Sequence, residues 1–171
     1  GEATLDNCTF YSIHDSRAVY TASFEFQAKI NNCYFENLEI FNSGSSGTRM
    51  QNFGACIYCC PKVIKGNLVV TDSVFKNSLS QGLGGAIYAD ATAIDMIGCN
   101  FTNCMANDNN ENTKANCLGG AIFLNIYKTG SEEFLEFCLF EDCFASKAGG
   151  ALFAYCQNID SEEGEVSIIV N

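Results

Sequence analysis

The chain has 171 residues, enough for one domain with a core of its own. It carries 9 Lys and Arg against 20 Asp and Glu, a formal charge of −11, which leaves no basis for grasping nucleic-acid phosphates or for a polybasic membrane contact. No apolar run reaches the length of a membrane span, and one Pro, no Trp, 15 Gly and 14 Phe suit strands and tight turns better than helices.

In chain order, two short motifs alternate. Cys8-Thr9-Phe10-Tyr11-Ser12 is a variant of a motif that recurs as Cys33-Tyr34-Phe35-Glu36-Asn37, Ser73-Val74-Phe75-Lys76-Asn77, Cys99-Asn100-Phe101-Thr102-Asn103 and Cys138-Leu139-Phe140-Glu141-Asp142. Between these copies stand Ser16-Arg17-Ala18-Val19-Tyr20, Gly54-Ala55-Cys56-Ile57-Tyr58, Gly84-Gly85-Ala86-Ile87-Tyr88, Gly119-Gly120-Ala121-Ile122-Phe123 and Gly149-Gly150-Ala151-Leu152-Phe153. The distance from the small residue to the next Phe is nearly constant along the chain. The distance from Phe to the next small residue varies, so insertions fall there, near 41–52 and 107–116. Their Gly, Ser and Asn content reads as surface loop.

A third apolar run lies between the motifs, as in Asn67-Leu68-Val69-Val70-Thr71 and Ala93-Ile94-Asp95-Met96-Ile97. All three runs alternate with a period of two, the strand period, and Gly-Gly interrupts any helical reading. Repeats of short strands separated by bends predict an all-β fold, a right-handed parallel β-helix of about five coils with three short strands each, in a single domain over 1–171. Equivalent residues then form columns: Phe10, Phe35, Phe75, Phe101 and Phe140 inside; Ala18, Cys56, Ala86, Ala121 and Ala151 as a small-residue column; Asn37, Asn77, Asn103 and Asp142 as a polar ladder at a bend. The Gly-Gly pair permits a left-handed or tightly bent backbone. The acid pairs Glu132-Glu133 and Glu162-Glu163 read as solvated loops. The stretch Glu165 to Asn171 opens a further coil with an apolar strand, so the chain is expected to be a piece of a longer one or to meet a partner there.

Gly-Gly-Ala-Ile repeated in phase with a Phe-centred motif resembles the polymorphic outer membrane protein (Pmp) repeats of chlamydial autotransporters and similar repeats in protist surface proteins. The resemblance runs from about Asn7 to Phe153. It departs from the family's Phe-x-x-Asn, because here the Asn stands two residues after Phe. The resemblance implies an extracellular β-helix in adhesion or surface architecture, with other surface or matrix proteins or glycans as partners.

Eleven Cys favour an oxidising compartment. Equivalent positions on adjacent coils make Cys8–Cys33, Cys99–Cys138 and Cys104–Cys143 the candidate disulfides, with free buried thiols as the alternative. The Cys104–Cys143 pair, just past the bend, is expected to oxidise more readily than the inward Cys99–Cys138 pair. Two sequons, Asn7-Cys8-Thr9 and Asn100-Phe101-Thr102, make Asn7 and Asn100 candidate glycan acceptors. Both read as one repeat position beside an inward Phe.

No catalytic, cofactor or metal site is predicted. The single His14 has no nucleophile partner in a known motif, Ser45 lies in a linker-like run, and Cys56-x-x-Cys59 lacks the second pair that zinc requires. Asp108-x-Asn110-x-Asn112 lacks the Gly and closing Glu of a Ca²⁺ loop. Asp72, Asp90, Asp95 and Asp160 sit at different repeat phases, and Arg is represented only by Arg17 and Arg49, which argues against pectate-lyase chemistry. The expected function is therefore a non-catalytic structural or adhesive surface module. The alternatives are a carbohydrate-binding or carbohydrate-cleaving β-helix, and a filament subunit that assembles end to end.

Overall fold

The computed structural model describes residues 1–21, 26–41, 52–60, 66–91, 93–108, 117–126, 132–156 and 167–170. Among them there is no helix; twenty strands make four sheets, and every strand pairing is parallel. The longest sheet contains β1 (Glu2–Asp6), β4 (Phe26–Asn31), β8 (Gly66–Thr71), β12 (Ala93–Ile97), β16 (Glu132–Glu136) and β20 (Ser167–Val170), in that order. The second holds the Phe motifs: β2 (Thr9–Tyr11), β5 (Tyr34–Glu36), β9 (Val74–Lys76), β13 (Asn100–Thr102) and β17 (Leu139–Glu141). The third is made of two-residue strands, β6 (Glu39–Ile40), β10 (Leu79–Ser80), β14 (Met105–Ala106) and β18 (Phe144–Ala145). The fourth holds the Gly-Ala-Ile motifs: β3 (Val19–Thr21), β7 (Ile57–Cys59), β11 (Ile87–Ala91), β15 (Ile122–Ile126) and β19 (Leu152–Cys156). The chain visits the sheets in rotation, and in the first repeat a bridge from His14 to Glu39 takes the third sheet's place.

Each of the four repeats after the first thus has four strands where the sequence predicts three. The extra one follows the Asn of the Phe motif and is only two residues long. No periodicity can show in two residues, so the sequence hides it. The pair Glu132-Glu133 opens β16 instead of lying in a loop: its backbone joins a sheet already set by the strands beside it. Residues 42–51, 109–116 and the pair Glu162-Glu163 lie outside the described residues.

Three columns of left-handed backbone turn the chain. The first runs Asn7, Asn32, Asp72, Gly98 and Phe137, the second Ser12, Asn37, Asn77, Asn103 and Asp142, and the third Gly54, Gly84, Gly119 and Gly149, with φ between 48° and 67° throughout. Short polar side chains and Gly tolerate that region. The corners stay in register because their N–H groups also bond along the stack: Asn37 to the carbonyl of Lys76, Asn77 to Thr102, Asn103 to Glu141. These three amides are thus not left for water alone, which meets the need of a buried or half-buried backbone. The side chains add a ladder, with Asn77 donating to Asn37 at 3.1 Å and Asn103 to Asn77 at 2.8 Å. The predicted polar ladder is therefore present at those three residues.

The second Gly of the first two Gly-Gly pairs has a separate task. A Cβ on Gly85 would meet the carbonyl oxygen of Gly120, and one on Gly120 that of Gly150. Only Gly lets consecutive repeats approach this closely.

One core runs through the stack. Phe10, Phe35, Phe75, Phe101 and Phe140 stack with ring centroids 4.9, 4.8, 4.7 and 5.0 Å apart. That spacing is set by the strand separation of about 4.8 Å. The inner three rings are fully buried, while Phe10 and Phe140 at the two ends are partly so. Cys56, Ala86 and Ala121 of the small-residue column are also fully buried, beside Ile57, Ile87 and Ile122.

Candidate functional site

Six of the cysteines sit just after the corners, and this fixes their chemistry. Cys8, Cys33, Cys99 and Cys138 follow the first corner column, where Ser73 takes the fifth place; Cys104 and Cys143 follow the second. Each thiol reaches the carbonyl two residues back, as Cys99 does to Ile97 at 3.6 Å and Cys138 to Glu136 at 3.5 Å. Several also reach the preceding repeat: Cys99 to Val70 at 3.4 Å, Cys104 to Phe75 at 3.5 Å, Cys143 to Phe101 at 3.6 Å. Ser73 confirms the role, since its hydroxyl donates to the carbonyl of Thr71 at 2.8 Å. These side chains are corner fasteners.

All ten described cysteine side chains are free thiols. The three expected partners do stand together, with Cys33 against Cys8, Cys99 against Cys138 and Cys104 against Cys143, here as free thiols. Stacked residues project their Cβ atoms in parallel, and each sulfur is aimed at a carbonyl, so the geometry of a bridge is not formed. Within the last two pairs the contact of the two sulfurs splits their acidity, lowering the thiol of the half-buried member, Cys138 or Cys143, and raising that of its buried partner. Burial pushes Cys59 up to about 12 and Cys56 higher still. The Cys56 and Cys59 pair is buried. Cys60, beside it, approaches Asp90 at 3.6 Å. Among the described residues no three His, Cys, Asp or Glu gather as a metal site.

The two sequon Asn residues are both exposed, but they do not share a repeat position. Asn7 lies in the first corner column, where its side-chain oxygen accepts from Asn32 at 2.5 Å. Asn100 opens β13 and projects from the outer face of the second sheet, level with Val74 and Leu139. The spacing in the sequence already separates them: Asn7 precedes Phe10 by three residues and Asn100 precedes Phe101 by one, so Asn100 aligns with Thr9 and Asn7 with Gly98.

The acids disperse as the repeat phases predict. Asp72 is at a corner, Asp90 is buried on the outer side of the fourth sheet, and Asp95 is on the outer side of the first. Burial and the nearby charge of Glu136 raise the Asp95 carboxyl above its usual range. Asp160, Ser45, Arg49, Asn110 and Asn112 lie outside the described residues. His14 is 3.4 Å from Glu39 and largely exposed.

A second aromatic column was not foreseen. Tyr20, Tyr58, Tyr88, Phe123 and Phe153 stack on the outer side of the fourth sheet at 5.1, 5.1, 5.5 and 5.6 Å. Tyr58, Tyr88 and Phe123 are buried there, with Phe53, Leu83 and Leu118 packed on them. The guanidinium of Arg17 lies 4.6 Å from the Tyr58 ring centre, a cation–π contact. The signal was the aromatic that closes every Gly-Ala-Ile motif. No protein-family model matches this chain, and no curated protein or solved structure is significantly similar to it.

Proposed function

We propose that the chain is a non-catalytic structural or adhesive module of an extracellular or cell-surface protein, built as a right-handed parallel β-helix of the Pmp-like repeat type. The observation that carries this reading is the in-register stack itself. Phe35, Phe75 and Phe101, Asn37, Asn77 and Asn103, and the Gly corners occupy the same place in successive repeats. Such a stack uses its conserved-looking positions to hold the backbone and leaves its outer faces to vary, which suits surface display. Rotation through four parallel sheets, and Gly-Gly-Ala-Ile falling in phase, support the β-helix and the family. End-to-end self-association is a further mode of assembly for such a stack, through pairing of strand edges.

Purified protein incubated with polygalacturonate and similar acidic glycans, with and without Ca²⁺, should release no product. Turnover that disappears on Asp95→Asn would overturn the reading. One observation favours the carbohydrate alternative: Glu136 lies close enough to Asp95 on one face for its charge to raise the Asp95 carboxyl. The compartment has its own test. In an oxidising space, Cys104–Cys143 or Cys99–Cys138, each just past a corner, would turn their side chains together, give up two hydrogens to a small-molecule disulfide and close. Thiol counting on denatured protein, before and after reduction, should then show fewer free thiols in the secreted form; equal counts argue for a reducing compartment.

A further inference from the structure

Four of the five residues in the first corner column are Asn, Asp or Gly, the residues that accept positive φ. The fifth is Phe137, with φ 54°. A bulky side chain in that region is an outlier and costs stability. Phe137 recovers nothing by burial, for it is 75% exposed, the most exposed large apolar residue among those described. Leu139, two residues on, is 55% exposed, and Ile97, which precedes the neighbouring corner residue Gly98, is 38% exposed. The register sets the three close together: Ile97 pairs with Glu136, and Leu139 pairs with Asn100.

The exposure of Phe137 and Ile97 belongs to their positions, whereas Leu139 lies on β17, the outermost described strand of its sheet, and at its level Tyr34 and Val74 are half-buried. Asn32 and Asp72 in the corner column, and Asn100 at the level of Leu139, are flanked by repeats on both sides and are still exposed. Elsewhere the corner is Asn, Asp or Gly and the level of Ile97 holds Asn31, Thr71 and Glu136, while the level of Leu139 also takes Tyr34 and Val74; only here does a large apolar side chain stand at the corner. Around the patch stand Glu136, Glu141 and Asp142. On the same sheet as Glu141, Lys76 is engaged with Glu36 at 3.5 Å.

We propose that Phe137, with Leu139 and Ile97, anchors a docking surface for a protein partner that offers an apolar pocket bordered by Lys and Arg. The inference rests on the surface-module reading and names where that module makes contact. An aromatic anchor among aliphatic neighbours with a charged rim is the composition of a protein interface centre. The acidic rim selects a basic partner through charge complementarity. The aliphatic neighbours make a glycan the weaker fit, since sugars stack on flat aromatic faces.

The test uses a short synthetic peptide of Leu and Lys, its Leu and Glu counterpart, and neutral oligosaccharides, each titrated into the whole chain while backbone amide shifts are followed by NMR. The Leu/Lys peptide should shift residues 95–98 and 136–142 selectively, and the Leu/Glu peptide should not. Phe137→Asn with Leu139→Asn should weaken that binding about tenfold or more. Phe137→Asn alone should raise the melting temperature by about 2–4 °C, because Asn suits the corner. Shifts spread over the acidic surface, unchanged affinity in the double variant, selective shifts by the oligosaccharide alone, or a lower melting temperature for Phe137→Asn would each overturn the proposal. The glycan-cleavage assay above is independent of every one of these outcomes.

Discussion

Two aromatic columns run the length of this molecule, and they are held in different ways. The inner column, Phe10 to Phe140, keeps its rings 4.7 to 5.0 Å apart and lies within the single main core. The outer one, Tyr20 to Phe153, opens to between 5.1 and 5.6 Å and is sealed by a smaller cluster that includes Phe53, Leu83 and Leu118. Backbone register stacks the rings in both places. Only the inner column is also confined by facing sheets on the other sides. Register alone therefore aligns side chains, and enclosure tightens them.

The sharpest way to test that difference is to remove one ring from each column. Phe75→Ala leaves a hole in a space that cannot collapse, because the β9 backbone is pinned to strands on both sides. A loss of about 3–5 kcal/mol is expected in urea or guanidinium unfolding. Tyr88→Ala should cost less, about 2–3 kcal/mol, since the cluster covering it lies at the surface and can relax. Equal losses would show that the outer column is enclosed as firmly as the inner.

The inner column was plain in the sequence because Phe alternates with polar or small neighbours at a fixed distance from the next bend. The outer column was visible only as the aromatic after Ala-Ile. Nothing in the alternation shows that an outward residue such as Tyr88 is covered, because its cover comes from segments distant in the chain, such as Phe53. The same limit explains the corners. Asn37, Asn77 and Asn103 stand out by repetition, whereas Asn7, Asn32, Asp72, Gly98 and Phe137 share a conformation without sharing a side chain. Cysteine spacing shows which thiols stand side by side, but whether a pair is bridged depends on the direction of the Cβ bonds, which spacing does not carry.

A smaller contrast separates backbone from side chain at a corner. Asn77→Ala places a Cβ-bearing, non-polar residue at φ 52° and cuts the ladder on both sides; a loss of about 1–2 kcal/mol is expected. Asn77→Gly keeps the conformation and loses only the ladder, so it should cost less. If Gly were the worse of the two, the ladder and not the corner would hold the turn.

The buried thiols give a pH dependence. Burial raises Cys56 and Cys59 above the ordinary thiol value of 9.0, so the folded chain keeps protons that the unfolded chain gives up. Their stabilisation is complete below pH 9.0 and is lost as pH rises through about 12. Over that window each should take away about 1 kcal/mol per pH unit. Unfolding followed from pH 8 to 10.5 under reducing conditions should show a steady decline, which is reduced in Cys59→Ala after correction for its own cost. A flat profile would place these thiols in water.

The smallest effect is a gain. The Ser80 hydroxyl is buried with no hydrogen-bond partner, and its neighbours in the third sheet include Ala106. Ser80→Ala removes the orphan at almost no loss of volume and should stabilise the protein by up to about 1 kcal/mol.

The in-register stack is the claim on which the rest depends, and the Phe rings report it most directly. In a uniformly labelled sample, NOEs between aromatic protons should link Phe10 to Phe35, Phe35 to Phe75, Phe75 to Phe101, and Phe101 to Phe140. No ring should show a contact that skips a neighbour. A link from Phe35 to Phe101, or a division of the five rings into two groups facing each other across a sandwich, would contradict the account.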